Sequence, residues 1–224
     1  MGRLRLRGRL RNTYEQPAGG EWAILNVSRF DGERRGDAVM QEGSATLERA
    51  DGCVIPIIAF VGWSGSGKTR FAEQVVGALC DLGVTVGVIK HHGHDDAPLD
   101  VAGKDSWRYA QAGAVPVVVS GASEYLVSRR VQRERSLAEL VAEIAPECQL
   151  IVVEGYRQQA GHIIEFMREG HRAQRIIAAD DQRLLAMVTD SAEAAAEMAA
   201  VDKPCFDLYD VGAVARYIVE WAEL

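Results

Sequence analysis

With 224 residues, 48% of them hydrophobic and 25% charged, the chain has the length and apolar content of one α/β domain with residues to spare. Its formal net charge of −7 argues against a general nucleic-acid binder, which needs a basic surface to neutralise phosphates. No run approaches the ~20 apolar residues of a membrane span, and the N-terminus lacks the apolar core of a signal peptide, so a cytoplasmic location is expected. The four cysteines, Cys53, Cys80, Cys148 and Cys205, form no C-x-x-C pair and read as small buried thiols of a reducing compartment.

From Met1 to Arg11, arginine stands at every second position from Arg3, alternating with leucine or glycine. Alternation of that kind fits an edge strand or a basic arm seeking phosphate. Residues 13–52 carry little sustained periodicity and many Gly, Asp, Glu and Arg residues. The expectation is therefore a poorly structured basic extension over 1–52, followed by a self-sufficient P-loop nucleotide-binding domain over 53–224.

The apolar run Val54–Val61 predicts a buried strand. It delivers the chain into Gly62-Trp63-Ser64-Gly65-Ser66-Gly67-Lys68-Thr69, a full match to G-x-x-x-x-G-K-[ST]. In such a loop consecutive backbone N–H groups curl around a phosphate chain, the lysine reaches the β/γ-phosphates, and the threonine hydroxyl coordinates Mg²⁺. A helix is predicted over Thr69–Leu82, its N-terminus aimed at the phosphates, with Arg70 in its first turn. Gly62, Ser64, Gly65, Ser66, Gly67, Lys68, Thr69 and Arg70 are the first candidate binding residues.

Further strands are expected at Val84–Lys90, Val115–Ser120, Leu150–Val153 and Leu184–Val188. Shorter edge or hairpin strands are expected at Tyr125–Ser128 and Ile163–Met167, and a last strand from Pro204. Helices are expected at Lys104–Ala112, Ser136–Ile144, Ala192–Ala200 and Val211–Trp221. This alternation predicts a three-layer, P-loop NTPase-like α/β fold, a mostly parallel sheet flanked by helices.

Ligands bind beyond the carboxyl ends of such strands, and the unusual polar residues gather there. Lys90-His91-His92-Gly93-His94-Asp95-Asp96 follows the second strand run, Glu154 follows Leu150–Val153, and Thr189-Asp190 follows Leu184–Val188. Glu154 occupies the place where P-loop proteins set an acid near Mg²⁺. Lys68 and Glu154 are the candidate catalytic pair, and Thr69 and Glu154 the candidate Mg²⁺ residues. Lys90, His91 and His92 suit an anion or a substrate, His92 and His94 can share a face as metal ligands, and a solvated polar loop is the third reading. Gly103-Lys104-Asp105-Ser106 opens a helix that Asp105 or Ser106 is expected to cap, with Lys104 and Arg108 adding positive charge. No N-K-x-D guanine reader is present. Asp190 suits hydrogen bonds from guanine N1 and N2, or capping of the next helix. Trp63 and Ser64 stand where a partitioning-type ATPase carries a second lysine.

These segments, with Ala112-Gly113-Ala114 and Val153-Glu154-Gly155-Tyr156, resemble the molybdopterin-guanine dinucleotide biosynthesis accessory (adaptor) family, MobB, over about Ile55 to Leu224. The family often has proline before the glycine at 103, where this chain has Ala102. The resemblance implies a homodimeric protein that binds GTP and Mg²⁺ and hydrolyses GTP weakly at most. It implies work with the molybdenum cofactor guanylyltransferase (MobA-like) that joins GMP to molybdopterin. A molybdopterin phosphate suits a pocket of Lys90, His91, His92, Lys104 and Arg108. Two other readings remain: a P-loop kinase of a small metabolite with Arg129, Arg130, Arg133 and Arg135 as its lid, and a metallochaperone GTPase using His91, His92 and His94.

Overall fold

The computed structural model describes residues 46–48, 54–92, 100–170 and 175–224. The expected extension over 1–52 lies outside them except for β1 (Thr46–Glu48), as do Cys53, His94, Asp95 and Asp96. β1 pairs antiparallel with the start of β2 (Val54–Val61), Thr46 opposite Pro56 and Glu48 opposite Val54. Pro56 lacks an N–H, and it precedes the first parallel pair of β2, at Ile57.

Alternation within β2 sets the layers. Ile55, Ile57, Ala59 and Val61 face one core, while Ile58 and Phe60 face the other. A strand buried on both faces needs helices on both sides, and they are present. α1 (Lys68–Asp81) and α5 (Val211–Trp221) cover one face through Phe71, Val75, Leu79, Val214 and Ile218. α3 (Leu137–Ile144) and α4 (Ala192–Ala200) cover the other through Leu137, Val141, Ala194 and Met198.

The parallel strands are β2, β3 (Val86–Lys90), β6 (Leu150–Glu154), β7 (Ile163–Met167), β8 (Leu184–Thr189) and β9 (Cys205–Phe206), lying in the order β3-β6-β2-β7-β8-β9. The chain fills the β3 side of β2 first and then crosses to the β7 side. The order therefore reverses at β2, opening a crevice at its carboxyl end. This is the three-layer, P-loop NTPase-like arrangement that the sequence predicts.

Three expectations need correction. Ile163–Met167 is not an edge or hairpin strand; it lies between β2 and β8 with all five residues buried. Its shortness misleads, because it is apolar on both faces except at Glu165, and its neighbours cover it. The run Val115–Ser120 does not join the parallel sheet. Its strand, β4 (Val117–Ser120), forms a separate antiparallel hairpin with β5 (Tyr125–Ser128), and α2 (Asp105–Gln111) packs on β4. Of the described cysteines only Cys148 is buried; Cys205 is partly buried and Cys80 exposed, contrary to the expectation of buried thiols.

Candidate functional site

β2 ends at Val61, and the loop must then turn tightly into α1 beside the end of β7. Gly62 allows this, because a Cβ there would lie 2.6 Å from the Phe166 carbonyl oxygen. Gly65 (φ 78°) and Gly67 (φ 94°) take the left-handed backbone that glycine adopts without strain. Ser66 is buried and ties the loop together, its hydroxyl donating to the Trp63 carbonyl at 2.8 Å. Ser64, Thr69 and Arg70 are exposed at the mouth.

The N-terminus of α1 differs from those of α3, α4 and α5. Ser136 caps α3 in a capping box with Glu139, Ser191 caps α4 and Asp210 caps α5. α1 has Gly67 at its cap position, no capping side chain and no acidic residue in its first turn. Its first amides therefore suit an external anion.

Glu154, at the end of β6, closes on the same point. Its Oε1 accepts from Lys68 Nζ at 2.7 Å and from Thr69 Oγ1 at 2.6 Å, and its Oε2 lies 3.4 Å from Lys90 Nζ. Parallel register sets Lys90 opposite Glu154 and Phe60 opposite Glu154 on the other side. Partial burial pushes the Glu154 carboxyl up, but the Lys68 and Thr69 hydrogen bonds and the Lys68 and Lys90 charges outweigh it. The group is held below the ordinary glutamate range, and so ionised. A hydroxyl and a carboxylate are hard oxygen donors, and they meet here beside a phosphate cradle. That fits Mg²⁺, which takes one or two protein ligands and completes its shell with phosphate and water. Among the described residues no group of three or more His, Cys, Asp or Glu forms a metal cluster.

His91 follows Lys90 and donates its backbone N–H to the Glu154 carbonyl at 2.8 Å. Its ring stacks at an angle on Tyr156, centroids 4.8 Å apart, and its Nε2 lies 2.6 Å from Glu134 Oε1. Burial, and then the Glu134 charge, raise the Tyr156 hydroxyl above its ordinary value. Gly155 between these groups has φ 98° and no room for a side chain, since a Cβ would sit 2.5 Å from His91 Cβ. His92 is exposed at the same strand end.

Of the other expected binding residues, Arg108 and Asp190 have partners of their own. Lys104 is the cap residue of α2 and Arg108 lies within it, on a helix that packs on β4, and Arg108 pairs with Asp105 on its own helix at 3.8 Å. Neither Asp105 nor Ser106 caps that helix; Lys104 is its cap residue, without a side-chain bond. Asp190 follows β8, two strands from β2. Its Oδ1 accepts from the Glu169 N–H at 2.5 Å and its Oδ2 lies 3.8 Å from Arg168 Nε. It does not cap α4, a role taken by Ser191. The arginine segment is fastened to neighbouring elements. Arg133 bonds Glu139 through both terminal nitrogens at 2.8 Å, Arg135 pairs with Glu143, and Arg130 donates to the Ala110 carbonyl at 2.6 Å.

Glu165 was not expected to matter. It is 1% exposed, and its carboxylate accepts from the backbone N–H groups of Ile176 and Ile177 and from Arg175, which also reaches Glu197 on α4. Burial is the largest influence and raises the carboxyl above the ordinary range despite these donors. A lone acid inside a five-residue apolar run was the available signal. A cavity of about 310 Å³ lined by Arg157, Gln158, Ile176, Asp181 and Arg183 shares no lining residue with the P-loop, and Arg183 is already paired there with Asp181 at 2.8 Å.

Known proteins are similar to this chain over about three quarters of its length. The Escherichia coli K12 molybdopterin-guanine dinucleotide biosynthesis adapter protein is 30% identical over 175 residues, covering 76% of this chain and 95% of that protein. The Haemophilus influenzae adapter protein is 27% identical over 168 residues, covering 75% and 89%. The crystal structure of Bacillus subtilis MobB superposes with a TM-score of 0.59 at 26% identity, covering 74% of this chain and 97% of that one. The family model described as MobB, molybdopterin guanine dinucleotide synthesis protein B, matches residues 57–190, more than half of the chain, and the chain belongs to that family.

Proposed function

We propose that this chain is a GTP- and Mg²⁺-binding adapter in molybdopterin-guanine dinucleotide biosynthesis, serving a MobA-like guanylyltransferase in the cytoplasm and hydrolysing GTP weakly at most. The carrying observation is the meeting of Lys68, Thr69 and Glu154 at the uncapped start of α1. Gly62, Ser64, Gly65, Ser66 and Gly67 cradle the phosphates through backbone amides. Lys68 supplies the fixed positive charge, and Thr69 and Glu154 hold Mg²⁺, which would neutralise phosphate charge when bound. Arg70, Lys90, His91 and His92 line the mouth, where the terminal phosphate of molybdopterin is a chemically suitable second anion. Asp190 is the candidate acceptor for guanine N1 and N2, its carboxylate already oriented by the Glu169 N–H.

A homodimer is supported by the α2–β4–β5 limb, whose hairpin is exposed on both faces and presents Val118, Val119, Tyr125 and Leu126. An isolated two-stranded hairpin is marginal in water and gains from covering. Lys104 and Arg108 would then meet the second anion from across the pair. Tethering of Arg133 and Arg135 to α3 favours the adapter over a kinase with an arginine lid.

Calorimetry with GTP and Mg²⁺ tests the site: Lys68→Ala should abolish binding, and unchanged affinity would sink the assignment. Reconstitution of the guanylyltransferase with molybdopterin at limiting GTP tests the role. Yield should rise when this chain is added, whereas a kinase would instead turn over a small acceptor at ~1–100 s⁻¹.

A further inference from the structure

The carboxylate of Glu154 does more than wait for a metal. It bonds both groups that a phosphate chain would use, the Lys68 ammonium at 2.7 Å and the Thr69 hydroxyl at 2.6 Å, and it draws Lys90 to 3.4 Å. The side chains of Lys68 and Glu154 are each only 14% exposed, so the pair is partly desolvated and weakly screened. Glu154 is also fixed from behind. Its carbonyl accepts from His91, its strand pairs with β3 and β2, and Gly155 after it is packed against His91. Only the side chain is free to yield.

We infer that Glu154 acts as an internal stand-in for phosphate and makes the site select metal-complexed nucleotide against free nucleotide. This rests on the nucleotide reading above. A free triphosphate has to break the Lys68–Glu154 and Thr69–Glu154 bonds and then sit beside a displaced carboxylate of like charge. When a divalent cation accompanies the phosphates, Glu154 releases Lys68 and keeps an opposite charge to face. The same carboxylate thus opposes one ligand form and favours the other. An acid that only held metal would behave differently, because its removal would weaken metal-supported binding without improving binding in the absence of metal.

The test is the affinity of the full chain for GTP in excess Mg²⁺ and in EDTA, for wild type and Glu154→Gln. Loss of a charge-assisted bond to the lysine should raise the metal-free affinity of the variant by roughly tenfold or more. Its Mg²⁺-supported affinity should fall, so that the ratio between the two conditions collapses. Tripolyphosphate, which has no base, should show the same inversion and so locate the effect at the phosphate end. Glu154→Asp keeps the charge but shortens the reach to Lys68, and should fall between the two proteins. The wild-type ratio is informative without any variant, and a value near one would overturn the inference. It is overturned alone if wild type binds Mg²⁺–GTP but the Glu154 variants bind metal-free GTP no better than wild type. If wild type binds neither GTP nor tripolyphosphate under either condition, the nucleotide reading falls with it.

Discussion

The edge formed by β3, β6 and β2 and the limb formed by α2, β4 and β5 are built on opposite terms. At the edge the named groups contact one another within the chain: Lys68 and Lys90 lie on Glu154, and the His91 ring lies against Glu134. On the limb α2 buries no residue, Lys104 is exposed, and Tyr125 is 73% exposed. The first is held by ion pairs within the chain, with two lysines sharing one carboxylate. The second leaves large apolar side chains of its hairpin exposed. Cationic residues follow a turn in both regions, at Lys68 and at Lys104, so residue type alone does not separate them.

Glycine replacements should break the comparison most sharply. Gly62→Ala sets a Cβ against the Phe166 backbone and into the P-loop at once. It should cost ~2–4 kcal/mol of unfolding free energy and eliminate nucleotide binding, measured by urea denaturation and calorimetry. On the limb, a Cβ at Gly103 or Gly113 meets nothing within 4 Å, and only the positive φ resists it. Those variants should lose about 1 kcal/mol and keep nucleotide affinity. Equal losses at Gly62 and Gly103 would erase the distinction between the two regions.

Removing the exposed apolar side chains of the limb gives the next largest effect. Tyr125→Ser combined with Leu126→Ser removes exposed apolar area and no core contact. Monomer unfolding should change by less than about 0.5 kcal/mol, while dimer dissociation in sedimentation equilibrium should rise by at least about tenfold. An unchanged dimer would locate the interface elsewhere. A smaller loss belongs to the arginine segment. Ser136→Ala breaks the capping box that fixes the start of α3 beside Arg133 and Arg135, and should cost ~1 kcal/mol without altering GTP affinity.

The parts legible in the sequence are those set by neighbouring residues. The Val54–Val61 run, the glycine spacing after it, the amphipathic helix that follows and the acid at the end of Leu150–Val153 each carry their own signal. Sheet order does not. Nothing within Ile163–Met167 states that β2 and β8 will flank it, and its shortness alone reads as an edge or hairpin strand. The pairing of His91 with Glu134 depends on the docking of distant loops, and Lys104 and Arg108 depend on where α2 turns. Glu165 left only a faint mark. A charge among Ile, Phe and Met contradicts burial unless donors arrive, and those donors come from Arg175, Ile176 and Ile177, outside the strand.

The smallest effect is a dependence on pH that originates far from the phosphate edge. His162 precedes β7, packs edge-on against Trp221 with ring centroids 4.7 Å apart, and has its Nδ1 buried without a hydrogen-bond partner. Burial lowers its pKa, so the folded protein holds the ring neutral at pH values where the unfolded chain, at about 6.5, takes up a proton. The unfolded state then binds more protons, and stability falls as pH drops below about 6.5 toward the folded value. Glu165 acts with the opposite sign. Its pKa is raised, so its contribution is fully present below the unfolded glutamate value and is lost as pH rises through the folded one. The two overlap in wild type, but a difference between proteins separates them. Comparing urea midpoints at pH 7.5 and pH 5.5 for wild type and His162→Phe cancels Glu165, which both proteins retain. His162→Phe should lose less stability than wild type on acidification. A parallel response in the two proteins would mean that the ring at 162 titrates alike in the folded and unfolded chains.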